Sequence, residues 1–220
     1  MLSWRTNAFY RVLDKMTGLD TKYIFGAGIW ASAGVAASIV CSLIMTISLT
    51  HFLEQSMFGE FQLFIAIIST VSIFSLPGMR NAVVRSIARG YEGSFILATK
   101  SKINWSLLGS AALFTAAGYF YYIAASSSWT YYALAAILFP VMYGVCDWHA
   151  ILTGREMFDK HAQWTIVSNV IISIGTAMVA VIGNLMLILV SFVLLTMIAN
   201  VLPFFALKRT LNKRLRVSKS

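Results

Sequence analysis

Six apolar runs dominate this chain, and all 17 of its lysines and arginines lie outside them. The runs cover residues 24–49, 58–76, 103–122, 131–148, 164–182 and 185–207. A helix needs about 20 mainly apolar residues to cross ~30 Å of hydrocarbon, and each run is of that order. Barrel strands alternate apolar and polar residues over about 10 positions; these runs are too long and too uniform for that. Lipid offers no partner to a backbone N–H or C=O, so helices are expected. The residues are 59% hydrophobic and 11% charged, against about 45–50% and ~25% in a soluble domain. A water-soluble fold of this size has too little interior to hide so much apolar surface. The expected class is all-α: a polytopic membrane protein built as a bundle of six transmembrane helices.

The basic residues set the expected orientation. Arg5, Arg11, Lys15 and Lys22 precede the first run, and Arg80, Arg85, Arg89, Lys100 and Lys102 lie between the second and third. Arg155 and Lys160 separate the fourth from the fifth, and Lys208, Arg209, Lys213, Arg214, Arg216 and Lys219 follow the sixth. The other three connections hold no lysine or arginine; the full charges on that side are Glu54 and, at the start of the second run, Glu60. Positively charged loops stay cytoplasmic, so both termini are expected inside. Trp105, Trp129, Trp148 and Trp164 fall near run ends, the depth an indole prefers, while Trp30 sits deeper. The first run is too long for a cleaved signal peptide and lacks the small-residue cleavage site. Three regions follow: a cytoplasmic interfacial segment (1–22), a transmembrane lobe (23–207) and a basic cytoplasmic tail (208–220).

Within this frame, several groups invite a functional reading. Phe9, Val12, Leu13 and Met16 recur at helical spacing beside basic residues, the pattern of a helix lying on the inner surface. Ala33/Ala37 and Gly34/Ser38 are small-xxx-small pairs that let helices approach closely. Pro77-Gly78 is expected to end or kink the second span. After it, Arg80, Asn81, Arg85 and Arg89 alternate with Val83, Val84 and Ile87, forming a basic amphipathic helix. Topology and contact with anionic lipid explain such a helix on their own; a cationic lining for an anionic substrate is the sharper reading. Thr165, Asn169, Ser173 and Thr176 share one helix face, as do Ser38, Ser42 and Thr46. Interhelical hydrogen bonding accounts for such stripes, and a hydrated cavity is the functional version. Asp147 and Glu60 are membrane-proximal carboxylates; an interfacial polar cap or a pairing with a loop arginine accounts for such a group, and titration during transport, as the ion-coupling site of a carrier, is the functional version.

Other functions lose ground by what the chain lacks. It has no phosphate-binding glycine loop, HExxH, CxxC or nucleophile elbow. His51, His149 and His161 are scattered without metal-ligand spacing, and Cys41 and Cys146 lie within apolar runs. No catalysis, metal or cofactor is expected. The net charge of +9 would suggest nucleic acid in a soluble protein; here the charges sort by membrane side, so that partner is not expected.

The motifs also resemble a known family. Phe58-Gly59-Glu60-Phe61, Leu76-Pro77-Gly78, Arg80-Asn81-Ala82-Val83-Val84-Arg85 and Ala88-Arg89-Gly90-Tyr91-Glu92-Gly93 occur in an order similar to the amino-terminal half of bacterial O-antigen and polysaccharide flippases, members of the multidrug/oligosaccharidyl-lipid/polysaccharide exporter superfamily. Gly154-Arg155-Glu156-Met157-Phe158 resembles that family's G-R-E-x-F loop. The resemblance covers about residues 20–210. It implies a protein of the bacterial inner membrane that carries a polyprenyl-pyrophosphate-linked oligosaccharide from the inner to the outer leaflet by alternating access. Arg80, Arg85, Arg89 and Asn81 would then meet the pyrophosphate. Because such flippases have 12 or more spans, six imply one lobe that needs a second, from another copy or a partner chain. A non-transporting subunit of a glycan-assembly complex and an inactive half-transporter are the alternatives. A drug or cation exporter fits an arginine-rich inner mouth less well.

Overall fold

The computed structural model describes residues 21–91, 93–123, 129–145 and 148–217. Among these, all regular structure is helical. Eight α-helices follow in order: α1 (Thr21–Phe52), α2 (Gln55–Val71), α3 (Met79–Ala88), α4 (Ser94–Tyr122), α5 (Trp129–Gly144), α6 (Trp148–Gly154), α7 (Phe158–Ala180) and α8 (Leu185–Val217). Five stretches are long and apolar enough to cross a membrane: Phe25–Phe52, Gln55–Ser75, Trp129–Gly154, Phe158–Ala180 and Leu185–Leu207. The chain is thus a multi-pass membrane protein by the length and composition of its helices.

Breaks between elements follow local chemistry. A 3-10 turn over Ser72–Ser75 closes α2, Leu76 adopts a left-handed conformation (φ 54°), and Pro77 precedes α3. This is the interruption expected at Pro77-Gly78. Gly90 (φ 89°) caps α3: its N–H donates to Ile87 O, and the Tyr91 N–H donates to Ser86 O. That crossed pair satisfies two carbonyls left over by the last turn. Gly183 (φ 69°) reverses the chain after α7, and Asn184 Oδ1 then accepts the N–H groups of Met186 and Leu187. Those donors would otherwise be orphaned at the start of α8.

Two cores organise the bundle. The larger joins Leu49 of α1 and Leu53 just after it, Phe61, Phe64 and Ile68 of α2, and residues of α4, α5, α7 and α8. The smaller joins Val83 and Ile87 of α3, Phe95 of α4, Ala150 and Ile151 of α6, and Phe204 of α8. Small residues permit the close seams. A Cβ on Gly34 would sit 3.7 Å from Ala162 where α1 lies on α7, and one on Gly109 would fall 2.3 Å from the Phe139 ring. Without a hydrophobic drive between helices in lipid, such approach supplies the dispersion energy of association.

Several sequence expectations change in detail. The fourth run falls within one apolar stretch, Trp129–Gly154, which holds α5 and continues past the expected end at 148 through α6. The third run begins at Ser94, nine residues before the expected start, so Lys100 and Lys102 belong to α4 and not to a loop. Lys102 is fully buried, on a face with Thr99, Ser106 and Ser110. That polar face keeps α4 outside the five most apolar stretches. The backbone of α8 runs through Val217, so most of the expected tail continues the last helix. Trp148 is enclosed rather than at a membrane surface, and its indole N–H has no acceptor among the described residues. The expected surface helix with Phe9, Val12, Leu13 and Met16 lies outside the described residues, as do Asp147 and the last three residues of the basic tail.

Candidate functional site

The smaller core brings the basic segments together. It collects α3, which carries Arg80 and Arg85 and is followed by Arg89; the start of α4, with Lys100 and Lys102; and α6, which leads into Arg155. This is the basic end of the bundle. Glu54 and Glu60 lie at the other end, where the Tyr131 hydroxyl donates to Glu60 Oε2 at 3.1 Å. Glu60 therefore ties α2 to α5, far along the chain from the arginines.

At the basic end, a cavity of about 270 Å³ opens between α1, α3, α6 and α7. Trp30 and Ser38 of α1, Arg80 of α3, Thr153 of α6, and His161 and Thr165 of α7 line it. Arg80 faces the cavity because it stands at the first turn of α3. Arg85 and Arg89 lie about 140° and 180° around the helix from it, at ~100° per residue. Both are exposed, Asn81 is exposed too, and none of the three lines the cavity. The four residues expected to act together on a pyrophosphate are thus divided by the cavity and not by exposure: all four are exposed, and of them Arg80 lines the cavity.

The polar stripe of α7 is divided as well. The Thr165 hydroxyl faces the cavity and donates to His161 O at 2.8 Å. Asn169 Nδ2 donates to Ser38 Oγ at 2.6 Å, and Ser38 Oγ donates to Gly34 O at 2.8 Å. Ser173 and Thr176 are buried, and the Thr176 hydroxyl has no partner among the described residues. Of this stripe, Thr165 lines the cavity and the other three fill helix seams. Of the three hydroxyls on the cavity, those of Ser38 and Thr165 donate to backbone carbonyls, and the charged donor lining the space is the Arg80 guanidinium. Its planar fork matches the oxygens of a phosphate or carboxylate.

One constellation escaped the sequence reading. His149 Nδ1 and His161 Nε2 lie 3.0 Å apart, with the Trp148 ring stacked on His149 at 3.6 Å between centroids. The contact requires one nitrogen to carry a proton and the other a lone pair. No third His, Cys, Asp or Glu completes a metal-binding group with them among the described residues. The signal was partial: the two histidines flank the Gly154–Phe158 reversal, His149 before it and His161 after it, so folding α6 back onto α7 brings their helices side by side. Gly154 instead sets the approach of α6 to α3, since a Cβ there would meet Ile87 at 2.9 Å and the Val84 carbonyl at 3.0 Å. Glu156 takes the left-handed position (φ 58°), and the N–H groups of Glu156 and Met157 close on Thr153 O and Leu152 O.

Comparison with protein-family models, with curated proteins and with solved structures finds no match. The reading of function therefore rests on the residues and their geometry.

Proposed function

We propose that this chain is one six-span lobe of a polysaccharide-flippase-type transporter, with its basic end and both termini in the bacterial cytoplasm. α4 serves as the sixth span, its polar face turned into the bundle. The lobe works with a second lobe, from another copy or a partner chain, to move a polyprenyl-pyrophosphate-linked oligosaccharide from the inner to the outer leaflet. The observation that carries this reading is Arg80 on a walled cavity at the basic end, beside His161 and Thr165. An anionic headgroup must shed water to enter a membrane protein, and a guanidinium fork at the mouth compensates it. The motif order along α2, α3 and the α6–α7 hairpin supports the same family. Arg85 and Arg89, on the outer face, attract anionic headgroups and hold the topology.

Deletion of the chain tests the proposal. Lipid-linked oligosaccharide should accumulate in the inner leaflet, and the wild-type chain should clear it. Normal glycan export in cells lacking both this chain and any partner lobe contradicts it. A non-transporting subunit is the second reading, favoured by Asn169, which is spent on a hydrogen bond to Ser38 and does not line the cavity. In that case an Arg80→Gln chain would still restore export in full.

A further inference from the structure

A second space at the basic end differs in character from the Arg80 cavity and shares no lining residue with it. It is a slot of about 290 Å³ between α4, the segment that ends at Val145, and α8. Phe95, Ile96, Ile103, Val145 and Phe204 wall it. The rings of Phe95 and Phe204 meet at 5.6 Å between centroids and brace α4 against α8. The polar lining residues are Thr99, Lys100 and Asn104. The Thr99 hydroxyl is committed to Phe95 O at 2.9 Å. Lys100 and Asn104 are exposed.

We propose that this slot holds one acyl chain of an anionic phospholipid, with the headgroup phosphate against Lys100 and Asn104. Three observations favour that occupant. The apolar walls give water no hydrogen-bond partners, so an aqueous filling is disfavoured, while a hydrocarbon chain fills the space without that cost. The slot also opens beside strongly exposed apolar residues, Ile96 and Leu97, on a helix that stands in lipid. At its mouth an ammonium and an amide replace the apolar lining, as a chain joined to a phosphate headgroup requires. The surrounding end carries Arg80, Arg85, Arg89 and Arg155, so its field favours an anionic over a zwitterionic headgroup. The proposal does not depend on the chain being a transporter.

The test uses the full chain, purified in detergent and mixed with equal amounts of phosphatidylglycerol, phosphatidylcholine and undecaprenyl phosphate. Native mass spectrometry then counts the retained lipid. The wild type should keep phosphatidylglycerol over phosphatidylcholine by about fivefold, the effect of one lysine near an anionic surface. Lys100→Glu should abolish that preference. Ile96→Trp, which fills the slot, should lower retention of phosphatidylglycerol, whereas Leu97→Trp, on the surface outside it, should not. Circular dichroism of each variant shows whether the helices are intact. Equal retention of the two phospholipids, or full retention by Ile96→Trp, overturns the proposal. Displacement of phosphatidylglycerol by undecaprenyl phosphate also overturns it, assigning the slot to an isoprenoid chain.

Discussion

Arg80 and Arg85 carry the same guanidinium on one short helix, and the phase of that helix separates their surroundings. Both are exposed, but Arg80 lines a cavity with His161 and Thr165 and Arg85 does not. Replacing Arg80 with Gln removes a charge-assisted hydrogen-bond donor, worth about 1.5–3 kcal/mol. Glycan export should therefore fall by about tenfold or more, while Arg85→Gln and Arg214→Gln cost far less. Equal losses for all three would mean the charges serve topology alone. The histidine pair makes a separate prediction. In a double-mutant cycle of His149→Phe and His161→Phe, thermal unfolding in detergent should show a coupling of about 0.5–1.5 kcal/mol. Strictly additive effects would deny the 3.0 Å contact. The basic, amphipathic character of residues 80–89 was legible from the sequence. Which arginine meets a ligand was not, because that depends on how α3 docks against α6 and α7, which no local spacing encodes.

At the scale of elements, the apolar runs read correctly as helices because hydrocarbon leaves the backbone no other way to pair its polar groups. Their ends were less legible. The α4 helix starts early because Ser94–Lys102 can bury one polar face against the bundle, and the lysines there look like loop residues to a hydropathy reading. Gly154 offers a direct test of element packing. Gly154→Ala places a methyl against Ile87 and the Val84 carbonyl and should destabilise the protein by about 1–3 kcal/mol. Gly118 of α4 has nothing within 4 Å of an added Cβ, so Gly118→Ala should be neutral or stabilise by up to ~1 kcal/mol. Thermal unfolding in one detergent compares the two. The same sign and size for both would mean that the α3–α6 seam is looser than its geometry.

For the whole molecule, the two cores define two ends of opposite character. The smaller core gathers α3, α4, α6 and α8 where the cations collect, and the larger core reaches the end that bears Glu54 and Glu60. The charge asymmetry was legible in the sequence; the convergence of distant basic segments on one shared core needed the structure. The account stands on the basic end facing the cytoplasm and the acidic end facing out. Single cysteines in a Cys41→Ser/Cys146→Ser background test it most directly, labelled in intact spheroplasts with a membrane-impermeant maleimide. Gln55→Cys and Asn184→Cys, at the exposed turns of the acidic end, should label without permeabilisation, and Tyr91→Cys, exposed at the basic end, only after it. Labelling of Tyr91→Cys in sealed spheroplasts, with Gln55→Cys protected, would contradict the account.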